Sequence, residues 1–559
     1  MIETAIKTMQ VFQHIRPPYL LRVALGSCIC LLAALGARAQ QQDSTIQQQT
    51  IDIYNVYQPE LRNAAKLNLT TALPSIDTTR PRLVYNIPSQ NLYFTYQPVP
   101  LRPLAMGKDS LEALQNNFIK AGFGNYSTPL LQVGLGSGRN NQYNYSLFFN
   151  HLSSKGSIEH QQFSNDNLHL RGQYFAGGHE FHANVGYDRN AVNYYGYDHD
   201  SLKLSRDDVR QAYNTFSVSF GLSNTEENRL TLNYQPELKL TSFADAHDQS
   251  EFTFYLKIPA QKKIVKDIFL VADFIGDFSN YRHQGDSSFS NSIVAFHPAV
   301  LISKPGFVLR AGINPTWTNN KFVLLPDIVN ETHLIKNSLI LSSGWISYFT
   351  KNSYQHLVSE NPFLGDYSSP TNTRVEEKYT GIKGSINSHF NYNTKFAYVV
   401  YEDRPLYLND TLMGNKFTTR YEEELKAYQL HAEIGYVQEE KFQARLSMNW
   451  FNYFKQKTEA KPWGLSPFRA DLSFQYAIGE KFRLSADAFA LSGSSWQDSA
   501  LVDHKTKGAF DLNLGASYQI GKHFGVWANV NNLLGSHYQR WHNYPSLGLN
   551  ALGGILFKF

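Results

Sequence analysis

The stretch Phe510-Asp511-Leu512-Asn513-Leu514-Gly515-Ala516-Ser517-Tyr518-Gln519 decides the fold. Apolar side chains stand at every even position, and Asp, Asn, Gly, Ser and Gln stand between them. Successive residues of a β-strand face opposite sides, so this segment has one oily face and one polar face. The same period of two recurs upstream. Tyr143, Tyr145, Leu147 and Phe149 alternate with Gln142, Asn144, Ser146 and Asn150, broken only by Phe148. Leu168, Leu170, Gly172 and Tyr174 alternate with His169, Arg171 and Gln173, and Phe181, Ala183, Val185 and Tyr187 with His182, Asn184 and Gly186.

A soluble β-sandwich would also alternate, but three features favour a transmembrane barrel. Aromatic residues mark the ends of the oily face, as an interfacial girdle requires. Connections alternate between tight turns, near Gly177-Gly178, Glu439-Glu440, Gly479-Glu480 and Gly521-Lys522, and long polar loops such as 189–211, 347–375 and 492–508. That is the asymmetry between the periplasmic and external rims of outer-membrane barrels. A weak repeat marks the tight rim. Tyr476-Ala477-Ile478-Gly479-Glu480-Lys481-Phe482 returns as Tyr518-Gln519-Ile520-Gly521-Lys522-His523-Phe524, and more loosely as Tyr174 to Phe181 and Tyr436 to Phe442. Each copy sets an aromatic on either side of a turn.

Composition agrees. The 559 residues are 14% aromatic and only 18% charged. The mean hydropathy is nevertheless −0.37. No stretch after residue 40 is apolar for about 18 residues, the minimum for a spanning helix. Spanning strands reconcile these values, because only alternate residues need be apolar. Upward strands are expected to begin near 117, 142, 179, 228, 266, 306, 338, 394, 441, 482 and 524. Downward strands are expected near 129, 166, 212, 250, 290, 321, 376, 415, 467, 509 and 547. The fold class is therefore all-β, a transmembrane antiparallel β-barrel of about 22 strands, with short periplasmic turns and long external loops. A boundary shift within 320–425 would move the count inside a range of about 20–24.

Residues 1–39 read as a signal peptide. Lys7, Arg16 and Arg22 precede an apolar core, Val23 to Leu35, and Ala37-Arg38-Ala39 is a small-residue cleavage site. Leu25-Gly26-Ser27-Cys28 has the outline of a lipoprotein box, but the apolar stretch before Cys28 is too short. Both cysteines, Cys28 and Cys30, fall inside the signal, so the mature chain would carry none into an oxidising envelope. Residues 40–116 are Pro-punctuated, with Pro59, Pro74, Pro81, Pro88, Pro98, Pro100 and Pro103, and read as an extended periplasmic or lumen-filling segment. Asp109 to Gln115 has the capping pattern of one helical turn. The barrel is assigned to 117–559.

Residues that would carry chemistry are few. There is no phosphate loop, cysteine metal site or nucleophile elbow, so no catalytic residue, cofactor or metal is assigned and the chain is not read as an enzyme. The formal charge of +4 gives no reason to invoke nucleic acid. Asp198-His199-Asp200 has cation-binding residue types but reads as a solvated loop, and His179 and His182 fall on opposite faces of one strand. The residues expected to line the lumen are Gln142, Asn144, His169, Arg171, Gln173, Asn513 and Gln519.

In the last segment, Leu547, Leu549, Ala551, Gly553, Ile555, Phe557 and Phe559 share one face. Phe557 and Phe559 look like the terminal signal read by barrel assembly machinery. The wider segment Asn531-Asn532-Leu533-Leu534-Gly535, Tyr538, Tyr544-Pro545, Gly548 and Gly553 to Phe559 resembles the closing strands of TonB-dependent receptors. Leu549 stands where that family usually has a basic residue. Residues 356–380, with Asn361-Pro362-Phe363 and Glu376 to Gly381, loosely echo the family's later strands. The resemblance implies a 22-strand barrel in the outer membrane. It does not extend to the family's folded plug, for which residues 40–116 are too short and too rich in proline. Phe118 to Asn125 and Phe148 to Gly156 look like a plug-less branch of Bacteroidota type.

The expected function is a receptor-like barrel that takes part in solute uptake or permeation, its lumen occupied by residues 41–116 or by inward-folded external loops. Its expected partners are outer-membrane lipid, the assembly machinery, and TonB or another periplasmic protein. Thr50 to Tyr57, with Ile51, Ile53 and Val56, is the candidate contact for that protein. The alternative is a non-transporting anchor whose N-terminal arm recruits a periplasmic envelope partner.

Overall fold

The computed structural model describes residues 117–559 except 139, 141, 284–287, 366, 368–370 and 411–412. The expectations for residues 1–116 (signal peptide, Pro-rich segment, helical turn at 109–115, and the contact residues Ile51, Ile53 and Val56) lie outside the described residues.

The described chain forms a closed, all-antiparallel barrel of 22 strands. Each strand pairs with its successor, and the ring closes where Phe118–Gly124 pairs with Asn550–Lys558 in the register Phe118↔Lys558 to Gly124↔Leu552. Leu232–Tyr234 and Glu237–Ala244 both pair with Ser250–Val265 and are two pieces of one barrel strand interrupted at Gln235-Pro236. Closure is what a hydrocarbon surround demands, because it leaves no ladder edge unpaired.

Alternation sets the two faces. Leu168, Leu170, Tyr174, Phe181, Phe220, Phe252, Ile313 and Trp345 are exposed on the outside, a continuous apolar belt that a water-soluble protein would bury. The repeats at the tight rim form an aromatic collar. Tyr436 meets Phe442 at 5.5 Å, Phe442 meets Phe474 at 5.1 Å, Phe482 meets Tyr518 at 6.5 Å, and Phe524 meets Phe557 at 4.8 Å. Phe557 in turn stacks on Phe559 at 5.5 Å. The tight turns are built for a twisted ladder. Gly177 and Gly178 have φ of 58° and 74°, the left-handed pair of a two-residue hairpin.

Most expected strand starts agree with the structure. The main correction lies between 403 and 424, where a downward strand was expected from about 415. There, Arg404–Asn409 and Phe417–Glu422 form a separate hairpin, and the barrel strand begins at Leu425. The hairpin alternates as a barrel strand does, but its ladder partner is local and its first strand is almost wholly buried. The last strand begins at Asn550 rather than 547, because 532–549 is part of a long external loop. The rim asymmetry holds with exceptions, since 125–127 and 319–320 are tight turns on the long-loop side.

Candidate functional site at the external mouth

A ring of 22 strands is roughly 40 Å across, too wide for wall side chains to fill. Three external loops cross that width. Loop 194–209 follows the fifth strand, His179–Asn193; loop 351–372 follows the thirteenth, Leu339–Thr350; and loop 532–549 follows the twenty-first, Phe524–Asn531. They are rooted about a third of the circumference apart, yet one aromatic from each meets the other two. Tyr195 lies 6.1 Å from Phe363 and 4.9 Å from Tyr544, both edge-on, and Phe363 stacks on Tyr544 at 3.4 Å. Loops so rooted can meet only by folding inward across the mouth.

A fourth segment, the 404–422 hairpin, completes the lid. Leu364 bridges to Phe417, and Tyr407 and Phe417 pack edge-on to Trp541 at 5.1 and 5.3 Å. On the opposite side, loop 351–372 carries a short helix, Tyr354–Glu360. Its Tyr354 is fully buried against Phe243 at 5.5 Å, Tyr281 at 5.4 Å and Tyr367 at 5.6 Å. Phe243 and Tyr281 stand near the tops of the two barrel strands that flank Ser250–Val265, both opposite Glu251, so the lid grows directly out of the wall.

Burying so many tyrosines requires partners for their hydroxyls. Tyr194 donates to the Leu364 carbonyl at 3.0 Å, Tyr195 to that of Pro545 at 2.9 Å, and Tyr213 to that of Pro362 at 2.9 Å. Tyr354 donates to Asp245 and Tyr407 to Glu360, at 2.9 and 2.7 Å. Nearly every such bond joins one loop to another, so the lid is cross-tied. Burial pushes the Tyr195 hydroxyl up to about 12. Burial, with Asp245 beside it, holds the Tyr354 hydroxyl far above its ordinary value. Both therefore stay protonated donors. The helix is anchored at its start, where Ser353 accepts from the His356 amide at 3.2 Å and Glu251 from the Tyr354 amide at 2.8 Å.

Below the lid, the inner wall is polar. Gln132, Asn150, Asn167 and Asp188 form a ladder of side-chain bonds at 3.0, 3.2 and 2.7 Å across four strands, and His169 joins Asp188 at 2.9 Å. Farther round, Arg310 lies 2.8 Å from Asp327 and 3.6 Å from Asp273, Lys395 lies 2.9 Å from Glu377, and Arg445 lies 2.8 Å from Glu433.

The lumen candidates named from the sequence fall as follows. Asn144, His169, Arg171, Gln173, Asn513 and Gln519 sit on the strand face opposite the exposed apolar set. Gln173 donates to Glu180 at 2.7 Å, and Asn513 accepts from the Asn532 amide at 2.9 Å. Gln142 lies just outside its strand and is exposed. Asp198 is engaged in its own turn, accepting from the Asp200 amide at 3.0 Å and Ser201 Oγ at 2.6 Å. Among the described residues no group of three His, Cys, Asp or Glu side chains has a geometry that could hold a metal. Sequence reasoning allowed inward-folded external loops as one occupant of the lumen but identified none of the lid's residues. Two of its three central residues, Phe363 and Tyr544, lie in Asn361-Pro362-Phe363 and Tyr544-Pro545, motifs read only as barrel-strand resemblance.

No family model matches the chain, and no curated relative does. Solved structures do match in fold. The FrpB iron transporter of Neisseria meningitidis (F3-3 variant) superposes with a TM-score of 0.63 at 11% identity, over 79% of this chain and 81% of that one. The siderophore receptor PirA of Acinetobacter baumannii gives 0.60 at 10%, over 79% and 80%. The pyoverdine outer-membrane receptor FpvA of Pseudomonas aeruginosa gives 0.60 at 11%, over 79% and 78%. With its 22 closed strands and apolar outer belt, the chain is an outer-membrane β-barrel of the fold that these transporters and receptors share.

Proposed function

We propose that the protein takes part in solute uptake or permeation across the outer membrane, with the external loops acting as a gate. The observation that carries this reading is the junction of Tyr195, Phe363 and Tyr544, three residues from three well-separated loops. A polar inner wall beneath a cross-tied lid suits a path that is shut at rest. The neighbouring folds are named as transporters and receptors rather than enzymes, which supports the same class of function. Residues 40–116 are proposed to lie in the lumen or the periplasm. The segment around Ile51, Ile53 and Val56 is proposed as the contact for TonB or another periplasmic protein. Phe557 and Phe559 are proposed as the signal for barrel assembly.

The meeting of the loops over the mouth also favours a second reading, a non-transporting anchor whose Pro-rich arm recruits a periplasmic envelope partner, since extended segments dock at little ordering cost. Single-channel conductance of the mature protein, with and without residues 41–110, separates the two. Conductance that appears on truncation, or intermittently in the full chain, supports a gated path. A folded barrel that is silent in both forms, and that loses a co-purifying partner on truncation, supports the anchor.

A further inference from the structure

The inner wall carries ion pairs such as Arg310 with Asp327, Lys395 with Glu377 and Arg445 with Glu433, and the cations at the closing seam stand outside them. Lys120, on the first strand Phe118–Gly124, faces inward between the exposed Ile119 and the outward Ala121. It is only 7% exposed. Among the described residues it has no carboxylate partner, and its ammonium lies 4.2 Å over the ring of Trp527. A cation taken out of water without a counter-ion is costly, and an indole face compensates only part of that cost.

Two more inward cations share this patch. Phe118 pairs with Lys558 across the seam, so Lys120 and Lys558 are diagonal neighbours on one face, with Cβ atoms roughly 7–8 Å apart. Arg483 is opposite Ser517, and Ser517 is opposite Trp527, so Arg483 lies two strands along the same row. Neither Lys558 nor Arg483 has a carboxylate partner among the described residues. Asp487, on the same face of the strand that carries Arg483, accepts a hydrogen bond from Ser473 Oγ. Gly122 and Gly554 face each other and carry no side chains, and the Trp527 ring occupies the space over Gly122, where a Cβ would meet it at 2.3 Å.

We propose that this patch is an anion-binding site on the lumenal wall, near the periplasmic end of the seam. A carboxylate or phosphate is held by Lys120, Lys558 and Arg483, with the Trp527 ring backing the Lys120 ammonium. The ligand chemistry is the same whether the anion belongs to an incoming solute or to an acidic side chain of residues 40–116. The solute arm deepens the transport reading and rests on it. Binding is measured on purified barrel in detergent, so a protein that never conducts leaves the site standing, and a protein that does not bind leaves the gate standing.

The test is titration calorimetry of the full chain with phenyl phosphate, with phenol as the uncharged control, alongside zero-length amine–carboxyl cross-linking read by mass spectrometry. A solute site gives saturable phenyl phosphate binding that weakens at least about tenfold in Lys120→Met and with added salt, and that is unchanged in Lys395→Met, whose lysine is paired with Glu377. A site filled by the chain itself gives little phenyl phosphate binding but a cross-link from Lys120 to an Asp or Glu within 40–116. Phenyl phosphate binding that Lys120→Met leaves unchanged, or neither binding nor that cross-link in a folded barrel, overturns the proposal.

Discussion

Two parts of one barrel solve different problems. The tall wall, Ser250–Val265, Ile268–Arg282 and Ser288–Lys304, has strands of 16, 15 and 17 residues. The closing seam, Phe524–Asn531, Asn550–Lys558, Phe118–Gly124 and Thr128–Gly136, has strands of 8, 9, 7 and 9. A tilted spanning strand needs about 9–11 residues. The seam therefore barely crosses the hydrocarbon, while the tall wall overshoots it and its top residues, Tyr281 and Phe289, together with Phe243 of the adjoining strand, become the lid's foundation. Beside the tall wall, Arg310 joins Asp273 of that wall to Asp327. The seam leaves Lys120 and Lys558 without carboxylate partners among the described residues and brings its backbones close with glycine. One side is built to hold a lid, and the other to close a ring at minimum height.

The largest expected effect is at the seam. A Cβ on Gly554 would lie 1.9 Å from the Ala121 carbonyl oxygen and 2.5 Å from Gly122 Cα, both backbone atoms that cannot swing aside. Gly554→Ala is expected to abolish most of the folded, heat-modifiable form on gels. In the tall wall, a Cβ on Gly276 first meets the movable Phe278 ring at 3.0 Å, so Gly276→Ala should stay within about 0.5 kcal/mol of wild type. Equal sensitivity at both sites would erase the contrast.

Next come the buried centres of the tall side. Arg310→Met leaves two buried carboxylates without their cation and should cost about 3–5 kcal/mol in denaturant unfolding from detergent. Tyr354→Ala empties a fully buried aromatic site, at a cost of about 3–5 kcal/mol to the lid. Because Tyr354 stands above the wall, the change should appear as faster proteolysis within 351–372 while the barrel's own unfolding midpoint barely moves. A common shift of both would mean that lid and wall form one cooperative unit. A smaller loss than at either buried centre is expected from Asn125→Ala. Asn125 donates to the Leu549 carbonyl at 2.8 Å and accepts from the Ala551 amide at 3.0 Å and from Asn550 at 2.9 Å. Losing these stitches at the top of the seam should cost about 1–3 kcal/mol.

The barrel was legible because period two is a local signal. Segments such as 179–193, 321–335 and 509–519 announce both of their faces in the sequence, and paired aromatics such as Tyr476 and Phe482 announce the tight turns. The same signal misled at 404–422, because a hairpin buried in a lid alternates as a membrane strand does, and only the identity of its ladder partner distinguishes them. The lid itself had no local signature. Tyr195, Phe363 and Tyr544 are far apart in the chain, and their meeting follows from ring geometry that a one-dimensional pattern does not carry. Lys120 was hidden for a related reason. An inward lysine looks ordinary until the pairing shows leucine and glutamine, and no carboxylate, opposite it.

The most direct test of the central claim, that inward-folded external loops close the mouth, is single-channel conductance of the full-length protein beside a Phe363→Ala/Tyr544→Ala double variant. The account predicts a closed baseline for the wild type and discrete, sustained openings once the three-loop junction is cut. A wild type with steady large conductance, or a double variant that stays silent although proteolysis shows its loops released, would contradict it.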